Sequence, residues 1–113
     1  MEVFCTYFDS NYISRFLPMY WSLCRSTSGR ISIHALCLDK VSENALLMLE
    51  LPDVEATSLQ ELEEWDERVL VAKGNRSRFE YYFTLTAAFP LYIMGRSDLS
   101  IERITYLDSD LFF

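Results

Sequence analysis

The segment Glu2-Val-Phe-Cys-Thr-Tyr-Phe8 is a short run of apolar, aromatic and β-branched side chains. Such residues favour a β-strand, and because they occupy both of its faces, the pattern is typical of a strand buried in a parallel sheet. Asp9-Ser10-Asn11 follows as a cluster of turn-forming residues and is predicted to end the strand. The segment therefore predicts the buried first strand of an α/β layer fold.

Three further strands are predicted at Arg30 to Leu38, Val54 to Thr57 and Arg103 to Leu107. Helical segments separate them, and this alternation favours a mainly parallel sheet with right-handed crossovers. We expect a Rossmann-like sheet with the strand order 3-2-1-4 and flanking helices. Since no repeat, low-complexity segment or linker divides the chain, residues 1–113 are interpreted as one domain.

The first two helices are predicted from apolar spacing and capping residues. Ser14 is the candidate N-cap of the first helix, which puts Pro18 in the first turn, whereas an earlier start would make Pro18 a kink. Ser42 is the candidate N-cap of the second. The apolar face of that second helix is predicted to comprise Ala45, Leu46, Leu47 and Leu49.

Two capping boxes predict the starts of the remaining helices. Ser58-Leu-Gln-Glu61 opens an acidic helix that extends through Glu67. Ser77-Arg-Phe-Glu80 opens an almost wholly apolar helix from Phe79 to Phe89, interrupted by Pro90 and ending near Gly95. Because this helix is apolar on all sides, we expect it to be buried on several of them.

Composition excludes several classes of partner. The 113 residues carry a net charge of −7 and no basic stripe, which is unfavourable for nucleic-acid binding or attraction to anionic lipid. No apolar run is long enough to span a membrane and no signal-peptide pattern is present, so a cytoplasmic protein is expected. The widely spaced Cys5, Cys24 and Cys37 predict reduced, buried thiols, and the sole histidine, His34, is interpreted as a core residue.

The last ten residues, Ile104 to Phe113, combine a β-type apolar run with two carboxylates. In extended backbone, residues two apart point to the same face, so Asp108 and Asp110 are predicted to converge. Their repulsion beside apolar residues calls for compensation, and Mg²⁺ or Mn²⁺ prefers carboxylate oxygens while leaving positions for water and substrate phosphates. The alternative is a solvated turn, because Asp-x-Asp is common by chance.

Ligands of parallel sheets bind beyond the carboxyl ends of the strands, where the strand order reverses. In the order 3-2-1-4, Asp9 to Asn11 after strand one and Asp108 to Asp110 after strand four are neighbours. One cleft is therefore predicted to hold both clusters, with the basic segment Lys73 to Arg78 facing it.

The chain resembles the N-terminal half of GT-A-fold nucleotide-sugar glycosyltransferases, most closely the lipopolysaccharide-type and glycogenin-like group. The resemblance spans essentially the whole chain, and the joint order and spacing of its segments are more specific than any one motif. The segments that carry it are Thr6 to Tyr12, Ser22-Leu23, Arg78 to Thr86 and Arg103 to Asp110.

The resemblance implies a metal-dependent glycosyltransferase whose donor is a nucleotide-diphosphate sugar and whose acceptor is unknown. It implies that Asp108 and Asp110 bind Mn²⁺ or Mg²⁺ and, through it, the sugar diphosphate. It assigns base and ribose binding to the loop after strand one, at Thr6, Tyr7, Asp9 and Asn11.

Two departures from the family pattern bear on these expectations. Relatives often place Arg or Lys within the long helix, where this chain has Phe83 and Thr84, so phosphate contact is assigned to Arg76 or Arg78, with a solvated helix start as an equal alternative. The chain also ends just after the metal motif. It is therefore expected to be a donor-binding fragment, inactive alone and prone to self-association through uncovered apolar surface.

Two other classes of function fit the same residues. One is a non-catalytic nucleotide-binding module, and the other is a small α/β interaction domain in which the Asp pair is only a turn. Transfer of the sugar separates the enzyme from the module, and an effect of metal or nucleotide on stability separates both from the interaction domain.

Overall fold

The structure of the chain, a computed structural model, describes residues 2–27, 29–67, 69, 74, 78–96, 101 and 103–108. Four strands and four helices lie within these residues. In chain order they are β1 (Glu2–Phe8), α1 (Ile13–Ser26), β2 (Ile31–Cys37), α2 (Lys40–Leu49), β3 (Val54–Ser58), α3 (Leu59–Trp65), α4 (Arg78–Met94) and β4 (Thr105–Tyr106).

The strands form one all-parallel sheet in the order β3-β2-β1-β4, which confirms the predicted α/β fold and strand order. β1 pairs along its whole length with β2, from Glu2 opposite Ile31 to Phe8 opposite Cys37. On its other side β1 pairs with the short β4, where Cys5 lies opposite Tyr106. The strand order therefore reverses between β1 and β4.

The sheet is covered on both faces, as the apolar pattern of β1 predicts. Alternate side chains of each strand point to opposite faces, so Phe8 packs with α1 while Cys5 packs with α4. The core on the α1 side contains Phe8, Phe16, Met19, Tyr20, Leu23, Ile31, Ile33, Ala35, Cys37, Leu46 and Leu107. The core on the α4 side contains Cys5, Leu36, Leu62, Val69, Tyr81, Leu85, Ala88, Phe89 and Ile93.

The histidine and the cysteines have the states that the sequence predicts, with one exception. His34 is buried, and its Nδ1 lies 2.9 Å from Glu55 Oε2. The three cysteines are free thiols; Cys5 and Cys37 are buried, whereas Cys24 is exposed.

The N-caps of the first two helices differ from the predictions. α1 begins at Ile13 rather than after Ser14, because the turn from Asp9 to Tyr12 leads directly into it, with Tyr12 N donating to Asp9 O at 3.1 Å. Pro18 consequently lies inside α1. α2 is capped by Asp39 rather than Ser42, because the Asp39 carboxylate accepts from Ser42 N at 2.8 Å and a charged acceptor forms the stronger bond.

The predicted apolar face of α2 is wrong for two of its four residues. Leu46 is buried, but Leu47 and Leu49 are 59% and 43% exposed. The buried side chains of α2 are those of Ser42 and Leu46, four residues apart, and Ala45 is partly buried, so the covered face is narrower than predicted. Together with Met48, 83% exposed, Leu47 and Leu49 leave α2 apolar on its surface. The expected self-association, which concerns strand four and the long helix, stays a prediction.

The capping box that opens α3 is confirmed, since Glu61 N donates to Ser58 Oγ at 3.1 Å and Ser58 N donates to Glu61 Oε1 at 3.3 Å. α3 ends at Trp65, two residues before the predicted Glu67. The second box, Ser77 to Glu80, lies outside the described residues.

The long apolar helix is continuous where an interruption was predicted. α4 extends from Arg78 to Met94 with Pro90 inside it.

None of the helices in the described part of the chain has the length and apolar character needed to cross a membrane.

Candidate functional site

Asp9 and Asp108 lie at the same edge of the sheet, beyond the carboxyl ends of the neighbouring strands β1 and β4. Asp9 directly follows Phe8, the last residue of β1. Beyond the two paired residues of β4, Leu107 N still donates to Cys5 O at 2.9 Å, which keeps the chain parallel to β1 up to Asp108. This is the place of strand-order reversal, where parallel sheets bind ligands.

Local hydrogen bonds shape the loop after β1. Asp9 Oδ1 accepts from Asn11 N at 2.9 Å, and this bond folds the side chain back on its own turn. Asn11 is exposed at the tip, while Asp9 is partly buried. Ser10 N donates to Asp39 Oδ2 at 3.0 Å, so a residue from the end of β2 also holds the loop.

Asp39 was not predicted as a site residue, yet it joins the loop to the start of α2. Its Oδ2 accepts from Ser10 N and its Oδ1 accepts from Ser42 N. Burial alone would raise its pKa, but the hydrogen bonds from Ser10 and Ser42 outweigh burial and lower the pKa from 3.8 to about 2. A signal was present in the sequence, because Asp39 stands three residues before Ser42, the spacing of an N-cap and its N3 amide.

An open groove of about 500 Å³ lies at the carboxyl ends of β2 and β3. Its lining includes Lys40, but carboxylates predominate among its charged groups: Asp39, Glu43, Glu61 and Glu63. This lining favours hydrogen-bond donors over anions.

Tyr106 contacts Asp108, and Tyr7 lies beside Tyr106. The Tyr106 hydroxyl donates to Asp108 Oδ1 at 3.2 Å, and the ring of Tyr106 lies 5.8 Å from that of Tyr7 between centroids. The Thr86 hydroxyl of α4 donates to the Tyr7 hydroxyl at 3.5 Å. Burial, and then the neighbouring Tyr7 and Asp108, raise the pKa of Tyr106 well above its ordinary value, so its phenol stays protonated.

Thr6, predicted to hold base or ribose, is a buried residue of β1 and only 1% exposed. Its backbone lies opposite Ala35 of β2. Among the described residues, its Oγ1 has no hydrogen-bond partner. A buried hydroxyl without a partner costs stability, so this position calls for an explanation beyond packing.

The remaining predicted site residues are described only in part. Tyr7 is partly buried beside Tyr106. Arg78 is the first residue of α4. The predictions for Arg76 and Asp110 lie outside the described residues.

Asp108 fits a hard divalent cation as one ligand of a site completed from elsewhere. The described residues contain no group of three or more His, Cys, Asp or Glu side chains that could hold a metal. Mg²⁺, however, is commonly bound through one or two carboxylates together with waters and substrate phosphates. The Asp108 side chain is exposed, and one hydrogen bond from Tyr106 leaves a carboxylate further acceptor capacity.

Comparison with known proteins gives two relatives, both from Bacillus subtilis (strain 168). The chain is 32% identical over 110 residues to the uncharacterized protein YfnD, a match that covers 97% of this chain and 34% of YfnD. It is 28% identical over 112 residues to the uncharacterized protein YfnF, covering 99% of this chain and 36% of YfnF. The chain thus spans about a third of the length of the curated relatives it matches. No family model matches the chain, and no solved structure gives a significant match.

Proposed function

We propose that this chain is the donor-binding part of a metal-dependent glycosyltransferase that takes a sugar from a nucleotide-diphosphate donor to an acceptor. One observation supports this most. The loop after β1 and Asp108 after β4 meet at the edge where the strand order reverses, beside each other and on the ligand-binding side of the sheet.

Asp108, with Asp110, would hold Mn²⁺ or Mg²⁺ at the diphosphate end of the donor. When bound, the cation stabilises the negative charge that develops on the leaving diphosphate. The two carboxylates fix its position, and their charge is neutralised in return. A chain with a net charge of −7 would otherwise repel an anionic donor.

The nucleoside end of the donor would lie along the loop after β1, toward the groove at the ends of β2 and β3. Asp39 holds this loop through Ser10, so the exposed Asn11 is presented on a fixed turn. The carboxylates of the groove disfavour phosphate but can accept from ribose hydroxyls and base N–H groups. The acidic groove and the metal-bearing edge thus suit opposite ends of one ligand.

Donor binding is the part of this function that the chain itself can test. The measurement is calorimetric titration with uridine and guanosine diphosphates, in Mn²⁺ and separately in a chelator. We expect weak binding that depends on Mn²⁺ and is lost in the double variant Asp108→Asn with Asp110→Asn. The matched control is Glu64→Gln with Glu67→Gln, which changes the net charge equally at two exposed positions of the α3 region and should bind as the wild type does.

The outcomes of this titration test the role of the Asp pair and the donor-binding proposal separately. Equal Mn²⁺-dependent binding by the wild type and the Asp variant would remove the Asp pair from the mechanism. Absence of binding by the wild type would contradict the donor-binding proposal and favour the α/β interaction domain. If binding is found, incubating the whole protein with nucleotide-sugar and acceptor separates a transferase, which releases nucleoside diphosphate, from a non-catalytic module, which does not.

A further inference from the structure

Three hydroxyl groups connect α4 to the carboxylate of Asp108. The Thr86 hydroxyl contacts the Tyr7 hydroxyl at 3.5 Å, and the Tyr106 hydroxyl contacts Asp108 Oδ1 at 3.2 Å. Between these two contacts the rings of Tyr7 and Tyr106 lie beside each other, with their centroids 5.8 Å apart. Thr86 and Asp108 are 22 residues apart in the sequence, and the two tyrosines between them lie on β1 and β4.

The chemistry of the groups fixes the direction of the bond to Asp108. An ionised carboxylate only accepts, so Tyr106 must use its single O–H to donate to Asp108. The Tyr106 oxygen can then only accept, and the neighbouring Tyr7, whose ring centroid lies 5.8 Å away, has an O–H that it can donate. Tyr7 in turn accepts from Thr86. With Tyr7 donating to Tyr106, all three O–H groups would point toward Asp108, an alignment in which hydrogen bonds polarise and strengthen one another.

Among the described residues, the Tyr106 hydroxyl is the hydrogen-bond donor that holds the Asp108 side chain. It follows a strand of only two residues and its side chain is exposed. A metal-ligating carboxylate without an outer partner would sample several rotamers and would lose orientation entropy on binding the cation. Groups that hydrogen-bond to a metal ligand fix its orientation, and their removal typically weakens metal binding.

We propose that Tyr106 is a positioning residue that orients Asp108 toward the cation, with Tyr7 and Thr86 holding the Tyr106 hydroxyl in place. The inference rests on the proposed function, since it concerns the same cation, but it assigns a role to Tyr106 and Thr86 that donor binding alone does not require. One carboxylate oxygen of Asp108 is fixed by Tyr106, and the other is left to the cation.

The test compares variants that each remove one hydroxyl and keep the shape of the side chain. Affinity for uridine diphosphate is measured by calorimetry in Mn²⁺ and in a chelator for Tyr106→Phe, Tyr7→Phe and Thr86→Val. Tyr106→Phe should weaken the affinity in Mn²⁺ about 10-fold or more while leaving the affinity in chelator unchanged. The effect should decline along the series, to about 3-fold for Tyr7→Phe and less for Thr86→Val, because Thr86 is the member farthest from Asp108 along the series.

Tyr20→Phe is the matched control. It removes a tyrosine hydroxyl that donates to Pro52 O at 3.0 Å, away from the β1–β4 edge. It should lower the melting temperature but leave the Mn²⁺-dependent affinity as in the wild type. The melting temperature of each variant is recorded so that the folded fraction is known.

The possible results separate this inference from the proposed function. If Mn²⁺-dependent binding is lost in Asp108→Asn but unchanged in both Tyr106→Phe and Tyr7→Phe, the positioning role is wrong and the donor site stands. Equal weakening in Mn²⁺ and in chelator would also overturn it, because a structural or nucleotide-contacting tyrosine acts without the metal. If the wild type shows no dependence on Mn²⁺, both proposals fall together.

Discussion

Asp39 and Asp108 are carboxylates at the same edge of one sheet, yet their surroundings differ in kind. Both oxygens of Asp39 accept from backbone amides, those of Ser10 and Ser42. Asp108 is exposed, and within the described part of the chain its carboxylate accepts one hydrogen bond, from the Tyr106 hydroxyl. Both oxygens of the first carboxylate are engaged by backbone amides, and the second carboxylate retains more acceptor capacity for a ligand.

The hydrogen-bond partners of a carboxylate distinguish a structural role from a ligand-binding role better than its position in the sheet does. A residue beyond the end of a parallel strand lies where ligands bind, but Asp39 and Asp108 share that position. Asp39 stabilises the native state by bridging the loop after β1 and α2. Asp108 contributes little of that kind, so removing each carboxylate should have opposite consequences for stability and for binding.

The largest effect is expected for Asp39→Ala. The change removes the N-cap of α2 and the acceptor of Ser10 N, so the free energy of unfolding should fall by about 2–3 kcal/mol. Urea unfolding followed by tryptophan fluorescence measures it. Glu64→Ala on the exposed side of α3 is the control and should change stability by less than about 0.5 kcal/mol. If Asp39→Ala also changed the free energy of unfolding by less than about 0.5 kcal/mol, Asp39 would not differ from Asp108 in its contribution to stability.

The pH dependence of stability should carry the signature of Asp39. Its folded pKa, about 2, lies below the 3.8 of the unfolded chain, so its contribution is present above the unfolded value and is lost as the pH falls through the folded one. Because Asp39 is partly exposed, we expect only about 1 kcal/mol of loss between about pH 4 and pH 2. Urea midpoints across this range should show the loss in the wild type and a flatter profile in Asp39→Asn. Parallel profiles would assign the acid sensitivity to other carboxylates.

The structure follows the sequence patterns most closely where a local pattern decides the conformation. Glu2–Phe8 was predicted with its observed bounds, because a two-sided apolar run of strand formers has few alternatives. The capping box at Ser58 was likewise local and correct. The exposure of Leu47 was missed because hydrophobicity does not indicate which residues a neighbouring element covers, and the covered face of α2 is narrower than predicted.

Some features of the candidate site were predictable from the sequence, and others were not. The order 3-2-1-4 already brought Asp9 and Asp108 to one edge, so their proximity followed from topology. The contact between Ser10 and Asp39 joins residues 29 apart and depends on where two loops meet, which no local pattern specifies. Tyr106 is different: the rule that residues two apart share a strand face, applied to Asp108 and Asp110, also pairs Tyr106 with Asp108.

Thr6→Val tests whether a buried hydroxyl without a hydrogen-bond partner among the described residues lowers the stability of the fold. The substitution removes a buried hydroxyl that has no partner among the described residues, at nearly constant shape, so stability should rise by about 1 kcal/mol. Ser22→Ala gives the opposite sign, because the buried Ser22 hydroxyl donates to Met19 O at 2.9 Å. Thermal melts of the two variants check both signs. A loss of stability in Thr6→Val would mean that its hydroxyl contributes to the folded state after all.

The smallest effect on stability is expected for Asp108→Asn, measured without metal or nucleotide. Asparagine keeps the size of the side chain and an oxygen that accepts from Tyr106, and the replaced carboxylate is exposed. The free energy of unfolding should therefore change by less than about 0.5 kcal/mol. Urea unfolding beside Asp39→Asn makes the comparison direct, since both variants remove one charge at the same edge of the sheet. A loss above about 1 kcal/mol in Asp108→Asn would mean that its carboxylate, like that of Asp39, is committed to the fold, and a ligand would then have to compete with the folded state for it.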